Sequence, residues 1–367
     1  MNWLSIIILI LMIAAVSATM IAMPFLSRKT VSFGISVSEE MYYSKEVAGM
    51  RRAYAWTTGG IQAVLSIAFA LFMSSGQEGT LANIILPVYA AAMVLSSMLI
   101  QLYFYFKMKG YKAMHPALPS KQEKLVIDTS FRTHKLVYSN WWFMPHLLII
   151  AVNVVVALMN YDLVPNMIPM KYSMDGEVIR SVEKSHMSVL FPNVMQVVLL
   201  LLFYMVNRII SRSKQQLEPG KGAASSQQNV LFRRRWSMYS LVSAFTLILM
   251  FSFIQLSMFL QINNHIQMTV IMLAPALMIL SALLLSFQTG QGGSRLDNSP
   301  DKSGTMPVND DHNWKLGNFY YNPNDPSLFV EKRMGVGWTM NYARPLAWLM
   351  LVAPFVIIIL VITFLAP

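Results

Sequence analysis

Basic residues are distributed along this chain in a pattern that admits one arrangement across a bilayer. Apolar stretches of about 18 residues or more, long enough to span a membrane as helices, occupy 3–26, 56–73, 81–106, 141–159, 189–207, 236–260, 267–287 and 345–366. The intervening segments 27–55, 107–140, 208–235 and 288–344 hold 5, 7, 7 and 6 Lys/Arg, which is 25 of the 28 in the chain. The opposite set holds only Lys171, Arg180 and Lys184. Lys and Arg are retained on the cytoplasmic side during insertion. The alternation therefore assigns the basic segments to the inside and both termini to the outside.

Acidic residues sharpen the division. The inner segments carry 12 Asp/Glu and a net charge of +13, the outer segments 5 Asp/Glu and a net of −2. A sequence pI near 9.7 is in this light a matter of topology and of contact with anionic membrane lipids. The positive charge is spread over four juxtamembrane loops rather than gathered on one face, which argues against a nucleic-acid partner. Apolar residues make up 55% of the chain and charged residues 12%, about half the charged share of a soluble domain. Cysteine is absent, which removes disulfides, thiolate nucleophiles and Cys-held metals.

The expected fold class is all-α: a polytopic membrane helix bundle of about eight transmembrane helices, with a small cytoplasmic hairpin before the last one. Arg28 and Lys29 follow the first apolar run and no basic side chain precedes it, so that run reads as an uncleaved anchor rather than a signal peptide. The expected organisation is 1–140 for the first three helices and their inner loops, and 141–210 for helices four and five with an outer loop. Helices six and seven follow in 211–287, a flexible cytoplasmic linker in 288–313, a short cytoplasmic unit in 314–344, and helix eight in 345–367. The order long inner loop, short outer loop, long inner loop recurs in both halves. A parallel duplication would produce such an order.

The spans contain no Asp, Glu, Lys or Arg well inside an apolar core. Ion-coupled pumps commonly hold the coupling charge on such residues, so that class is disfavoured. Asn153, Gln62, Gln101, Gln196 and Gln255 are expected to hydrogen-bond between helices. Pro87, Pro145, Pro192, Pro275 and Pro354 are expected to bend helices. No His-Glu-x-x-His pair, Gly-x-Ser-x-Gly elbow or phosphate-cradling glycine loop is present, and neither enzymatic activity nor a cofactor is expected. Met167, Met170, Met174 and Met187 raise a copper site, since thioethers favour Cu(I). Methionine recurs through every span as apolar filler, and no metal is expected.

Two segments depart from the helical background. The first runs from Tyr161 through Pro165, Pro169, Lys171, Asp175, Gly176 and Glu177 to Lys184 and Pro192. Two prolines four residues apart exclude a regular helix, so this is a shaped, extended outer loop with a tight turn at Asp175-Gly176. The second is Trp314–Pro345. Its Asn322-Pro323-Asn324-Asp325-Pro326 run reads as the turn of a hairpin between two aromatic, β-prone strands.

The outer-loop pattern of a Tyr, a Leu/Val-Pro, an Ile-Pro, a Gly with acidic neighbours, a Lys and a later Pro resembles the domain of unknown function in SdpI-type immunity proteins of Bacillus and related bacteria. Where relatives commonly carry His two positions after the second proline, this chain has Lys171. The Trp314–Pro345 segment is similar to a short domain of unknown function that accompanies the first. The resemblance implies a bacterial plasma-membrane protein that confers immunity to a secreted peptide toxin and signals to a cytoplasmic regulator. On that implication Pro165, Pro169, Lys171, Asp175, Gly176 and Lys184 sense the ligand, and Tyr321, Asn322, Asp325, Trp338 and Asn341 dock the partner. The alternative is a transporter of a small molecule or lipid.

Overall fold

The computed structural model describes residues 3–75, 80–115, 134–172, 177–217, 222–260, 262–296, 309–360 and 363. Among the described residues seven helices are long and apolar enough to cross a membrane, so the protein is an integral, multi-pass membrane bundle. The long helices are α1 (Trp3–Leu26), α3 (Lys45–Ser74), α4 (Thr80–Met114), α5 (Met144–Met159), α6 (His186–Arg212), α7 (Gly222–Leu260) and α8 (Asn264–Thr289). A 3₁₀ turn, Asn140–Phe143, leads into α5. The short α2 (Glu39–Tyr43) is capped by Ser38 and precedes α3, which Ser44 caps. The last helix, α9, is described over Pro345–Leu360.

Helices α1, α3 and α4 pack in sequence, as do α6, α7 and α8, and α1 against α8 joins the two groups. Helix α5 lies against α6 and α7. Large side chains such as Leu71, Leu99, Leu148, Leu201 and Leu284 remain exposed on the outside of the bundle, where lipid replaces the missing partners. Within the bundle, Gln62, Asn153, Gln196 and Gln255 bridge helices as expected. Gln62 donates to Met93 O at 3.1 Å, tying α3 to α4. Gln196 donates to Ile248 O and Ser252 Oγ, Gln255 donates to Val189 O and Asn193 Oδ1, and Asn153 donates to Ser252 Oγ, linking α5, α6 and α7. Pro145 sits in the first turn of α5, where its missing N–H leaves no bond unmade.

Three helices exceed the expected spans at one end. Helix α3 begins at Lys45, α4 continues to Met114 and α7 begins at Gly222. These extensions carry polar and charged residues that a hydropathy window excludes, and all project toward the same end of the bundle. The four basic segments meet there, which is the geometric counterpart of their alternation in sequence.

At that end the chain closes on itself through small hairpins. Strands β1 (Val31–Ser32) and β2 (Ile35–Ser36) are joined by Phe33 and Gly34, both with positive φ, the signature of a tight two-residue turn. Phe33 holds this uncommon backbone state because its ring is buried against Tyr54 and Phe104. Gly34 abuts the backbone of Gly317 so closely that a Cβ on it would overlap the Gly317 Cα. The Trp314–Pro345 segment forms two hairpins rather than the expected one. They are β5 (Trp314–Lys315) with β6 (Phe319–Tyr320), and β7 (Phe329–Glu331) with β8 (Trp338–Met340). The Asn322–Pro326 run links the hairpins, because Phe319 and Tyr320 take their partners upstream.

One carboxylate holds this end together. Glu331 is fully buried, and Arg28, after α1, and Arg233, on α7, both pair with it. Asn229, one turn before Arg233, donates to Glu331 Oε1 at 2.6 Å and accepts from Arg233 Nε at 2.7 Å. The remaining Arg233 donors reach Ile210 O, Ser213 O and Oγ, and Lys214 O at the end of α6. A Cβ at Gly292 would overlap the Arg28 guanidinium and lie 2.8 Å from Glu331 Oε2, so only glycine lets the turn after α8 approach the pair. The stretch expected as a linker is thus packed at its beginning, with Gln291, Gly292 and Gly293 buried. Its central part, 297–308, lies outside the described residues.

Removing one partner of a buried ion pair strands the other and costs about 3–5 kcal/mol. Glu331→Ala and Glu331→Gln are therefore both expected to lower the thermal midpoint of the detergent-purified protein, since either removes the charge that Arg28 and Arg233 share. Equal midpoints for the wild type and Glu331→Ala would contradict the arrangement.

Candidate functional site: a hairpin-capped cavity and the opposite basic face

The expected extended loop at the end opposite the basic segments is a β-hairpin. Strand β3 (Met167–Tyr172) pairs with β4 (Val178–Glu183), with Met167 opposite Glu183 and Ile168 opposite Val182. Irregular register follows Pro169, which has no N–H to give to the ladder. Ile168 and Val182 bury against Ala157, Val164 and Val189, which seats the hairpin on the ends of α5 and α6.

Beneath the hairpin lies a cavity of about 330 Å³, within the range of small-ligand pockets. Pro165, Ile168, Pro169 and Tyr172 form its hairpin side, Phe191 and Pro192 come from α6, Phe251, Ile254 and Met258 from α7, and Gln267 and Ile271 from α8. Tyr172 Oη donates to Gln267 Oε1 at 3.2 Å. Burial pushes the Tyr172 phenol above its ordinary pKa, only partly offset by this bond, so the group is a neutral donor. Two lining positions, Pro192 and Ile254, immediately precede Asn193 and Gln255 of the interhelical amide network.

The expected sensing residues divide. Pro165 and Pro169 line the cavity. Lys171 is exposed on β3, opposite Arg180. Lys184 braces the loop, donating to Val164 O at 3.0 Å and lying 4.7 Å from the Tyr161 ring centre. His186 stacks on the same Tyr161 ring at 4.4 Å. Asp175 and Gly176 lie outside the described residues. Tyr172, Gln267 and the α7 residues escaped sequence reasoning, because nothing in a linear pattern brings α8 under the 161–184 loop.

On the basic face the expected docking residues are largely internal, Asp325 and Asn341 most of all. Asn341 is fully buried and donates to Asn322 O and Asp325 O. Asp325 is 6% exposed, accepts from Lys214 at 2.7 Å and from Tyr320 Oη at 2.8 Å, and belongs to the fold's own bonding. Trp338 is half-buried against Phe232. Asn322 is half-buried, and its side chain donates to Tyr320 Oη. Tyr321 is exposed, as are Leu316 and Phe319 on the neighbouring hairpin. Asp311 joins this unit to the rest: Arg333, Lys112 and the Ser36 backbone N–H all reach it. Between α6, α9 and the β7–β8 hairpin runs an apolar groove of about 420 Å³, with Val198, Met205, Met350 and Pro354 on its walls and Lys332 and Trp338 near its basic end.

With this geometry in view, the comparisons with known proteins are narrow. Residues 323–348 match a family of unknown function (DUF5808), covering the stretch from the inter-hairpin link through β7 and β8 into the start of α9. No curated protein and no solved structure matches the chain.

Burial tends to raise the Asp311 and Asp325 pKa values, but it is outweighed. Arg333 and Lys112 act on Asp311, and Lys214 with the Ser327 and Tyr320 donors on Asp325, bringing each to about 2. A carboxylate depressed in the folded state stabilises it above the unfolded pKa of about 4, and that contribution fades as pH falls toward the folded value. Protection of the 314–344 amides, taken against the intrinsic exchange rate at each pH, is thus expected to fall between about pH 4 and pH 2, before that of the bundle helices. Uniform exchange would contradict it.

Proposed function

We propose that this protein senses a secreted, membrane-active peptide at the outer face of a bacterial plasma membrane and protects the cell from it. What supports the reading is the cavity under the β3–β4 hairpin. Its walls are apolar and rigidified by proline, and Tyr172 and Gln267 give it a polar edge, a combination suited to an apolar side chain attached to a peptide backbone. Helices α6 and α7 line the cavity at one end and carry the Arg233 cluster at the other. A ligand that shifts them would be felt on the basic face, where the exposed Leu316, Phe319 and Tyr321 offer a cytoplasmic regulator an apolar contact. No catalytic step is part of this reading.

A deletion strain is expected to depolarise and die at peptide concentrations the complemented parent survives. Pro169→Ser, expressed and inserted normally, is expected to weaken protection about ten-fold, equivalent to about 1.4 kcal/mol of binding. Equal survival of deletion and parent across a broad panel of membrane-active peptides would sink the proposal. A second reading, transport of a lipid or small molecule, is favoured by the groove between α6 and α9. It predicts altered lipid composition or metabolite content in the deletion strain without peptide challenge.

A further inference from the structure

A second pocket, of about 430 Å³, opens on the basic face where α1 ends and α3 begins. Arg51, Arg52, Arg295 and Lys29 line it with Ser27, Ser294, Tyr42 and Tyr43, and no carboxylate is among the lining residues. Arg51 is only 6% exposed. Its guanidinium lies 3.8 Å from the Tyr42 ring centre and donates to Tyr42 O at 2.9 Å. Arg295 is held by two carbonyls, Phe287 O at 3.0 Å and Phe25 O at 2.9 Å. Among the described residues neither these two arginines nor Arg52 forms an ion pair. Burying a guanidinium without a counter-charge is unfavourable, and elsewhere on this face the buried arginines 28, 233 and 333 all have carboxylates.

We propose that this pocket binds a phosphate group, presented by the headgroup of an anionic lipid. Guanidinium forks match the geometry of phosphate oxygens, and Arg51 and Arg295 are already oriented by carbonyls that leave their charge unneutralised. Depth argues for a lipid source. Trp56, one turn beyond Arg52 on α3, is 83% exposed, as interfacial tryptophans facing headgroups are. Phe25, in the last turn of α1, lines the pocket itself.

The test uses the full chain purified in a neutral detergent and titrated calorimetrically with dihexanoyl phosphatidic acid and, separately, with inorganic phosphate. Saturable binding of the lipid, weakened ten-fold or more in both Arg51→Gln and Arg52→Gln but not in Arg235→Gln, is the expected result. Arg52 is exposed, so its variant tests the site even if Arg51→Gln fails to fold. Binding of phosphate with the same variant sensitivity supports the site and identifies the soluble anion as an equal source. Binding of neither probe, or an equal loss in Arg235→Gln, would overturn the proposal.

Discussion

The buried Glu331 carboxylate is the point on which the basic end of this protein turns. It lies between guanidinium groups from just after α1 and from the first third of α7, and Asn229 and the carbonyls at the end of α6 complete the set. Such a cluster contributes little net stability over an apolar substitute, yet every partial version of it is costly. It therefore acts as a requirement for completeness. Helices α1, α6 and α7, the turn after α8 and strand β7 must all be present and in register before any one of the charges is satisfied.

The two faces are built on different physics. At the hairpin end, aliphatic packing of Ile168 and Val182 shapes the cavity, with the Tyr172–Gln267 hydrogen bond at its edge and Lys184 bracing the loop beside it. At the basic end, ion pairs around Asp311, Asp325 and Glu331 organise short strands that are too small to be stable alone. The amide network of Asn193, Gln196 and Gln255 lies between them, giving α6 and α7 a fixed relation along their length.

The membrane-spanning helices were legible because they follow from one coarse quantity, apolar run length, and the gathering of the basic segments at one end of the bundle followed from their alternation along the chain. The amides at 62, 153, 196 and 255 were likewise readable, since a lone polar side chain inside an apolar run has few options besides a neighbouring helix. The inner hairpins were half legible. Aromatic, β-prone runs announced strands around Phe319 and Phe329, but pairing depends on which runs meet, and Trp314 claims Tyr320 before Phe329 can. The burial of Asp325 and Asn341 was not legible for a related reason: a polar residue in a loop looks solvent-facing until its partner, over a hundred positions away for Lys214, is known. The Arg51 and Arg295 pocket was invisible, because in sequence it is two arginines among many.

Glu331 also sets a condition on how the protein is made. Arg28 precedes Glu331 by 303 residues and Arg233 precedes it by 98, so both guanidinium groups are made before the carboxylate that neutralises them. A chain interrupted anywhere before β7 would keep those charges unmatched permanently, with the ends of α1 and α7 unable to close over them. Completion of translation is thus written into the electrostatics of the fold, and a prematurely ended product would be distinguishable from the finished one by its open basic end alone.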